Sequence, residues 1–322
     1  MALLNYKKLL NMKVVGIIVL LLLLWQVDIK KLGLALSKTD LLYIAGALAF
    51  MVIHVLLKIV RYHSLLQLQG IKISFFKTLH CSLAAFFLSF VTPGRVGEFA
   101  KAYFINKIDG GSKVKAFSGA LVDRLCDVFI LFFITILGIS FLNLFGASSI
   151  IISLLLLFLL LSPSIVFFPK VRVCLLPIVE RFTGVHHKLT WFQTVVSALE
   201  EMEAVFNLRL IPLLILSGLA YCAFFASCHL MLAALAVPLS FQKVVFFVSC
   251  ASIISFLPIS FAGIGTRDAG LVFFFTRDGL AGESALAFSF LIFICTYLFF
   301  GIAGFICFMT LDCSRKELME NS

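Results

Sequence analysis

Apolar runs long enough to form membrane helices recur along this chain of 322 residues, and short polar segments separate them. Hydrophobic residues make up 62% of the sequence and charged residues 13%, whereas a soluble domain carries about 25% charge. A chain inside lipid must satisfy its backbone internally, so such runs form helices. We therefore predict an all-α, polytopic integral membrane helix bundle, a single transmembrane domain over residues 1–322, with spans at Val14–Trp25, Leu41–Val60, Ala116–Leu144, Ser149–Phe168, Leu210–Val237 and Ser284–Leu311.

Two further apolar segments, Phe75–Val91 and Val244–Leu257, are too short to span a bilayer comfortably. Each runs into a break rich in Pro and Gly that leads directly to charged residues. Broken backbone is tolerated at membrane depth only inside protein or beside water. Paired interrupted segments in the two halves of a membrane protein also indicate a transport site. We therefore predict two broken or re-entrant helical hairpins, near residues 75–108 and 244–276.

The distribution of basic residues predicts which segments face the cytoplasm. Lys and Arg cluster near residues 61–77, 101–115 and 170–209. The connections Asn143–Ser149 and Pro238–Gln242 carry no charge. By the positive-inside rule the basic segments and both termini lie in the cytoplasm, and the uncharged connections lie outside. The longest basic segment, 170–209, is predicted to be a cytoplasmic interfacial helix of a protein in the cell membrane.

This topology makes the two halves of the chain an inverted pair. The first half, 10–148, contains a hairpin that enters from the cytoplasm, and the second half, 149–322, contains one that enters from outside. Inverted repeats of this kind occur in several transporter folds. In the alternative, each short segment completes a crossing with the residues that follow its break.

The first break combines groups that suit an anion. Thr92 can cap a helix that begins at Pro93, because Thr accepts a backbone N–H bond and Pro suits the first helical turn. Pro93 and Gly94 form the break itself. Arg95 and Glu98 would then lie on the first turn, beside the partial positive charge of the helix N-terminus.

The second break repeats this pattern. Gly263 and Gly265 permit tight or left-handed backbone, Thr266 can cap, and Arg267 and Asp268 open the helix. Free N–H groups, the helix dipole and an arginine fork together suit phosphate. The acidic residues either orient the arginines or bind a cationic headgroup. The alternative is that both arginines extend to the membrane interface as snorkelling side chains.

A third charged cluster lies inside a predicted span. Asp123, Arg124 and Asp127 fall on one helix, and ionisable groups at such depth are costly and face the protein interior. They serve either a direct substrate role or a structural salt bridge. Lys58 and Arg61, near the end of another predicted span, are interpreted as membrane-end anchors.

Cysteine and histidine patterns give no indication of a metal site. The nine Cys residues show no CxxC spacing and the six His residues no HExxH motif, so neither a metal nor a cofactor is predicted. His54, His80 and His229 lie in apolar runs and are predicted to form interhelical hydrogen bonds. The net charge of +10 comes from short clusters between apolar runs, which favours membrane lipids over nucleic acid as partners.

Three motifs resemble one known family. They are the segment Thr92–Glu98, which reads TPGRVGE, the Asp123-Arg124-x-x-Asp127 helix and the segment Gly263–Asp268, which reads GIGTRD. Together they resemble the lysylphosphatidylglycerol synthase transmembrane-region family, whose members are also called flippase-like domain proteins. The resemblance covers roughly residues 10–312. The family commonly has Glu where this chain has Asp268.

The resemblance implies a function in lipid translocation. In the full-length synthases this membrane domain is implicated in moving the aminoacylated lipid across the bilayer, while a separate soluble domain makes the lipid. The chain has no room for that soluble domain, so the resemblance implies a stand-alone lipid-translocating unit rather than a synthase. Related archaeal proteins linked to polyprenyl-phosphate glycosylation keep a lipid-linked sugar among the candidates.

We therefore expect a transporter rather than an enzyme, one that moves an anionic or zwitterionic phospholipid or a polyprenyl phosphate between leaflets. The sequence contains no Walker A motif, so facilitated flipping or coupling to an ion gradient is expected. There are two alternatives. One is a membrane glycosyl- or acyltransferase that uses Asp123 and Asp127, and the other is a non-catalytic partner of a lipid-modifying enzyme. No catalytic residue is predicted, and the substrate-contacting residues are predicted to be Thr92, Gly94, Arg95, Glu98, Asp123, Arg124, Asp127, Gly263, Gly265, Thr266, Arg267 and Asp268.

Overall fold

A computed structural model describes residues 39–92, 95–109, 112–142, 201–202, 210–255 and 265–311. These residues are helical apart from short connections, and they contain no strand. A single 3₁₀ turn, Val96–Phe99, follows the first break, and a π-helical segment, Phe293–Leu298, interrupts the last long helical stretch. The α-helices are α1 Leu41–Leu68, α2 Phe75–Val91, α3 Ala100–Asp109, α4 Lys113–Leu142, α5 Leu210–Ala234, α6 Phe241–Ile254, α7 Thr266–Arg277, α8 Gly282–Ile292 and α9 Phe299–Thr310.

Three of the described helical stretches are long and apolar enough to cross a membrane. They are Leu41–Leu68, Ile211–Ala234 and Gly282–Thr310. Each coincides with a predicted span, and the prediction of a polytopic, all-α membrane protein is therefore confirmed.

The other three predicted spans are not tested as membrane crossings by the described structure. The run Ala116–Leu144 is helical over Lys113–Leu142, but its passage through the membrane stays a prediction. The spans predicted at Val14–Trp25 and Ser149–Phe168 lie outside the described residues. So does nearly all of the predicted interfacial segment 170–209.

The two short apolar segments are short helices that end at the predicted breaks. Helix α2 has 17 residues and α6 has 14, fewer than the ~20 that a straight crossing needs. Helix α2 packs against the 3₁₀ turn and α3, and α6 packs against α7. Each short helix is thus paired with the helix that follows its break, while the re-entrant path of both pairs stays a prediction.

The same connection joins a long helix to a short one at two places in the described chain. After α1, the N–H of Ile71 donates to a carbonyl five residues earlier, at 2.9 Å; after α5, the N–H of Val237 does the same at 3.0 Å. The residues before these donors, Gly70 and Ala236, have positive φ angles of 79° and 53°. This is the hydrogen-bonding pattern of a Schellman motif. The units α1–α2 and α5–α6 therefore share one local design.

The two long helices of these units pack against each other in antiparallel fashion. Ser227 on α5 donates its hydroxyl hydrogen to the carbonyl of Ala47 on α1, at 2.7 Å. Further along α1, Arg61 donates to the hydroxyl of Ser217, at 2.6 Å. Residue numbers thus rise along one helix as they fall along the other. Antiparallel packing of equivalent helices is what an inverted pair requires, although the division into halves stays a prediction.

Helix α9 approaches α2 unusually closely. A Cβ atom added at Gly304 would lie 2.3 Å from the carbonyl oxygen of Leu83, so only glycine permits this contact. The π-helical segment lies immediately before α9, and π segments frequently accompany functional sites. The contact therefore holds the π segment beside the first break.

Candidate functional site

The first break is organised by the hydroxyl of Thr92. This hydroxyl donates to the carbonyl of Leu88 at 3.0 Å and accepts from the N–H of Gly97 at 2.7 Å. Thr92 has the extended backbone favoured before a proline, and the next helical turn begins at Val96. The prediction that Thr92 caps a helix starting at Pro93 is therefore wrong. The hydroxyl does bind a backbone N–H, but it ties the 3₁₀ turn to the end of α2.

Arg95 adopts a conformation that is rare for a residue with a side chain. Its φ and ψ are 58° and 29°, in the left-handed region. The turn behind it packs tightly, because a Cβ atom on Gly97 would lie 2.3 Å from the carbonyl oxygen of Leu88. From this position the guanidinium of Arg95 donates a hydrogen bond to the hydroxyl of Tyr297. The left-handed backbone thus directs Arg95 toward the π segment rather than along the turn.

The second break begins with a glycine and is capped by an acid. Gly265 has a φ of 85°, a conformation that glycine adopts without steric cost. Helix α7 starts at Thr266, so Thr266 is not the predicted cap. The N–H of Gly265 instead donates to Asp268, at 3.0 Å, because a carboxylate at the third helical position can reach back to this group. The predicted site residues Gly94 and Gly263 lie outside the described residues.

Arg267 is buried, with 6% of its surface exposed. Its Nε and Nη2 donate to the hydroxyl of Ser289 at 3.1 and 2.9 Å, and Nη2 also donates to Asp268 at 3.2 Å. The Ser289 hydroxyl donates in turn to Asp268. The remaining nitrogen, Nη1, is buried and has no hydrogen-bond partner among the residues described. Arg267 is thus held along one edge by protein groups, which differs from a snorkelling side chain exposed at the interface.

Both arginines contact the same tyrosine. The guanidinium carbon of Arg95 lies 5.5 Å from the centroid of the Tyr297 ring, and that of Arg267 lies 5.4 Å from it. Both distances suit cation–π contacts. The two breaks, distant in sequence, therefore converge on one side chain of the π segment.

The aspartates of α4 are bound in a buried ion network. Arg61, with 0% of its surface exposed, lies 2.6 Å from Asp123 and 2.9 Å from Asp127. Lys58 lies 2.7 Å from Asp127, and Lys101 pairs with Asp123. The interpretation of Lys58 and Arg61 as membrane-end anchors is wrong, because both turn inward to compensate the aspartates. A buried carboxylate without such cations would be strongly unfavourable.

Glu98 connects this network to the first break. It lies 2.9 Å from Arg124, and the ammonium groups of Lys58 and Lys101 lie at 3.8 and 3.9 Å. Three residues before it, Arg95 points to the tyrosine. Helices α1, α3 and α4 therefore hold a rigid charged frame behind the arginine of the first break.

A cavity of about 810 Å³, including its open mouth, lies where the breaks meet. Of the predicted site residues that the structure describes, three line it: Arg95, Glu98 and Arg267. The rest of its wall combines polar groups with apolar ones such as Phe86 and Phe90. Such a mixture of polar and apolar wall suits a ligand that has both a polar and an apolar part.

The other described site residues contribute indirectly. Asp123 lines a neighbouring chamber of about 450 Å³, including its open mouth, whose wall includes Lys58 and Glu98 as well. Asp127 and Arg124 belong to the ion network. Residues that shape the two breaks without lining the cavity are Thr92, Gly265, Thr266 and Asp268. No three His, Cys, Asp or Glu side chains within the described ranges lie together as a metal site would require.

His54 lies on the wall shared by the two chambers. Its Nδ1 makes a 2.7 Å hydrogen bond with the carbonyl of Ala220 on α5, so the predicted interhelical bond is confirmed for this histidine. His80 likewise bonds to Thr310, at 2.9 Å. His229 instead packs edge-on against the ring of Phe241.

Several residues of the site were missed by the sequence analysis. Lys58 and Arg61 lie three residues apart in an apolar helix, so a rule that buried charges pair with one another would have assigned them to the aspartates. Tyr297 and Ser289 carry no comparable signal. Their roles depend on the π segment and on the packing of α7 against α8, which apolar periodicity does not reveal.

Comparison with known proteins identifies the family. The chain matches the family described as the lysylphosphatidylglycerol synthase TM region over residues 11–304. A UPF0104 membrane protein of Pyrococcus horikoshii is 31% identical over 156 residues, which cover 45% of this chain and 47% of that relative. The match thus spans about half the length of each. No solved structure matches the chain. The family places it among membrane proteins of lipid metabolism or transport.

Proposed function

The chain belongs to the lysylphosphatidylglycerol synthase TM region family, and we propose that it moves a lipid with a phosphate-bearing headgroup between membrane leaflets. The candidates are an anionic or zwitterionic phospholipid and a polyprenyl phosphate. The protein would act in the cell membrane with both termini in the cytoplasm. Its partners would be membrane lipids, with a lipid-modifying enzyme as a further candidate.

The observation that carries this proposal is the convergence of Arg95 and Arg267 on Tyr297 in one cavity. Arginine presents planar N–H groups that match phosphate oxygens in pairs. Each arginine is supplied by a different broken helix pair, as expected for a transport site at a repeat interface. A headgroup bound there would touch both halves of the molecule, so movement of one half against the other could transfer it.

The surrounding residues have supporting roles in this proposal. Asp268 and Ser289 orient Arg267, and the frame around Glu98 fixes the break that carries Arg95. Phe86 and Phe90 provide apolar wall for the first methylene groups of the lipid chains. The headgroup of the bound lipid would thereby lie in the cavity, away from the surrounding bilayer, while the chains of the same lipid remain in an apolar environment.

The contacts of the ion network favour the transport proposal over the alternative of a membrane transferase. A general base must be free to accept a proton from its substrate. Asp123 and Asp127 are instead held by Arg61 and two lysines. A structural role for this pair therefore accounts better for its contacts.

Reconstitution into vesicles tests the proposal. Purified protein is incorporated into vesicles that contain fluorescent phosphatidylglycerol, phosphatidylethanolamine or polyprenyl phosphate, and the fraction of label accessible to an impermeant quencher is followed over time. We expect wild-type protein to move at least one lipid, and the Arg95→Ala, Arg267→Ala double variant to lose most of that activity.

Arg277→Ala serves as the matched control, because Arg277 is an exposed arginine at the far end of α7. It should retain wild-type transport. Equal transport by a well-folded double variant would overturn the proposal.

A further inference from the structure

His54 brings a hydrogen-bond acceptor to the wall of the cavity. Its Nδ1 lies 2.7 Å from the carbonyl oxygen of Ala220. A carbonyl oxygen only accepts hydrogen bonds, so Nδ1 carries the ring proton, and in the neutral ring Nε2 carries the lone pair. Nε2 has no hydrogen-bond partner among the described residues. The side chain is 9% exposed and lines both chambers, so Nε2 is a nitrogen that the bond between α1 and α5 does not use.

Aromatic neighbours hold the ring of His54 in place. The ring centroids of Tyr221 and Phe224 on α5 lie 5.6 and 5.2 Å from that of His54. Both residues line the cavity together with it. Rotation of the imidazole would break the hydrogen bond to Ala220 and disturb both ring contacts. The acceptor therefore has a fixed position in the wall.

Lys58 places hydrogen-bond donors beside this acceptor. It follows His54 by one helical turn on α1, and side chains four residues apart lie on the same face of a helix. Lys58 also lines both chambers. Its ammonium group lies 2.7 Å from Asp127, and an ammonium group has three donors. The wall thus combines a neutral acceptor with a charged donor.

A hydroxyl is the headgroup group that suits this combination. It both donates and accepts hydrogen bonds, so it can donate to Nε2 of His54 and accept from the ammonium of Lys58. A headgroup ammonium only donates, and Lys58 would repel it. An ionised phosphate oxygen only accepts, so it cannot bind the lone pair of Nε2.

The carboxylate of Glu98 in the same wall does not favour a cationic headgroup. It lies 2.9 Å from Arg124, and the ammonium groups of Lys58 and Lys101 lie at 3.8 and 3.9 Å. A headgroup ammonium would have to compete with these three cations for one carboxylate, and each of them would repel it. A neutral polar group avoids this repulsion.

We propose that His54 and Lys58 bind a headgroup hydroxyl, so that the cavity selects phosphate lipids with hydroxyl-bearing headgroups, such as phosphatidylglycerol or a polyprenyl-phosphate sugar. This inference rests on the proposed function and names its substrate class. Arg95 and Arg267 bind the phosphate of the same lipid. The Nη1 group of Arg267, which is buried and has no hydrogen-bond partner among the described residues, gains one. His54 then determines specificity in addition to joining two helices.

Two lipids that differ only in their hydroxyl groups test the inference. Phosphatidylpropanol has the phosphodiester, charge and acyl chains of phosphatidylglycerol but lacks both headgroup hydroxyls. Binding of each to the wild-type protein in detergent is measured at pH 8, where a histidine of ordinary pKa, about 6.5, is neutral. A site built to bind a hydroxyl rejects the analogue without it, because buried polar groups stay unpaired. We expect phosphatidylglycerol to bind about tenfold more tightly than phosphatidylpropanol, and more tightly than phosphatidylethanolamine.

His54→Asn removes the acceptor and keeps a donor for α5. The amide nitrogen of asparagine can take the position of Nδ1 and donate to Ala220, but the side chain ends before Nε2. We expect the preference for phosphatidylglycerol over phosphatidylpropanol to fall to about twofold or less. His229→Asn is the matched control, since His229 is on α5 and lines neither chamber, and it should keep the wild-type preference. Each preference compares two lipids on one protein, so a loss of stability that weakens both cancels.

The outcomes separate this inference from the proposed function. Equal affinity of the wild type for phosphatidylglycerol and phosphatidylpropanol would overturn the selection of a hydroxyl and leave lipid translocation standing. An undiminished preference in His54→Asn would overturn the role of His54. Binding of none of the three lipids would contradict the proposed function as well. If glycerophosphoglycerol, the deacylated form of phosphatidylglycerol, competes as well as the lipid itself, the site belongs to a soluble phosphodiester and the lipid part of the proposal is wrong.

Discussion

Arg95 donates a hydrogen bond to the hydroxyl of Tyr297, and its guanidinium carbon lies 5.5 Å from the centroid of the tyrosine ring. This contact joins the first break to a π-helical segment near the opposite end of the chain. The same ring contacts Arg267 of the second break. Tyr297 therefore contacts the arginines of both breaks beside the cavity.

Removal of the Tyr297 hydroxyl should reduce transport. Tyr297→Phe keeps the ring beneath both arginines but removes the acceptor for Arg95. A hydrogen bond to a charged group contributes about 1.5–3 kcal/mol, so we expect transport in vesicles to fall roughly tenfold or more. Tyr297→Ala, which also removes the ring, should reduce it further.

Tyr103→Phe provides the matched control, because Tyr103 is an exposed tyrosine on α3, with 52% of its surface accessible. It should transport like the wild type. If Tyr297→Phe and Tyr103→Phe are both indistinguishable from the wild type, the hydroxyl of Tyr297 has no part in orienting Arg95.

The buried ion network should determine stability more than surface ion pairs do. Arg61→Met leaves Asp123 and Asp127 without their shared partner, and breaking a buried pair from one side costs about 3–5 kcal/mol. We expect a loss of that size in the free energy of unfolding, measured by denaturant titration in detergent micelles.

Lys243→Ala is the comparison, since the Lys243 side chain is 36% exposed and pairs with Asp278 at 2.6 Å. A pair of this kind contributes about 0–1 kcal/mol. Similar losses in Arg61→Met and Lys243→Ala would contradict the assignment of Arg61 to a buried structural network.

Labelling of single cysteines should establish the topology that the basic residues predict. In a background without other cysteines, Ser240→Cys in the uncharged connection before α6 should react with an impermeant reagent added outside intact cells. Ser112→Cys, before α4, should react only after the membrane is opened. Both serines are exposed. If only Ser112→Cys reacts from outside, the protein has the opposite orientation in the membrane. If both cysteines react from outside, the predicted topology is wrong.

The long helices could be predicted from the sequence because their apolar runs have the length that a bilayer requires. The run Leu41–Val60 lies within helix Leu41–Leu68, and the short helices before both breaks end close to their predicted positions. The breaks themselves were visible because Pro and Gly interrupt apolar runs. Such features depend on local composition, which can be read from a single sequence.

The internal geometry of the site could not be predicted from the sequence to the same extent. The start of the 3₁₀ turn at Val96 depends on the left-handed backbone of Arg95, a conformation that residue type does not predict. The inward orientation of Arg61 depends on two aspartates brought near by helix packing. The position of Tyr297 depends on a π segment with no recognised pattern in its sequence. Each of these features arises from tertiary contacts between distant segments.

The final prediction concerns the chemistry of Arg95 and Arg267. If each binds phosphate through its planar fork, Arg→Lys should impair transport about as severely as Arg→Ala, because Lys keeps the charge but lacks paired donors. Loss of one charge-assisted hydrogen bond of about 1.5–3 kcal/mol corresponds to a loss of roughly 10- to 150-fold in transport. Transport rates in vesicles measure the effect, and protein yield and monodispersity report folding.

Variants of Asp268 and Glu98 distinguish two possible roles for these carboxylates. Asp268→Asn and Glu98→Gln should be mild if these groups only orient the arginines, because an amide oxygen can still accept hydrogen bonds. They should be as damaging as the arginine variants if the acids bind a cationic headgroup. Arg277→Lys, on the same helix as Arg267 but exposed, should leave transport unchanged. Wild-type transport by Arg95→Lys and Arg267→Lys would show that charge alone is sufficient and that the arginine forks do not bind the phosphate.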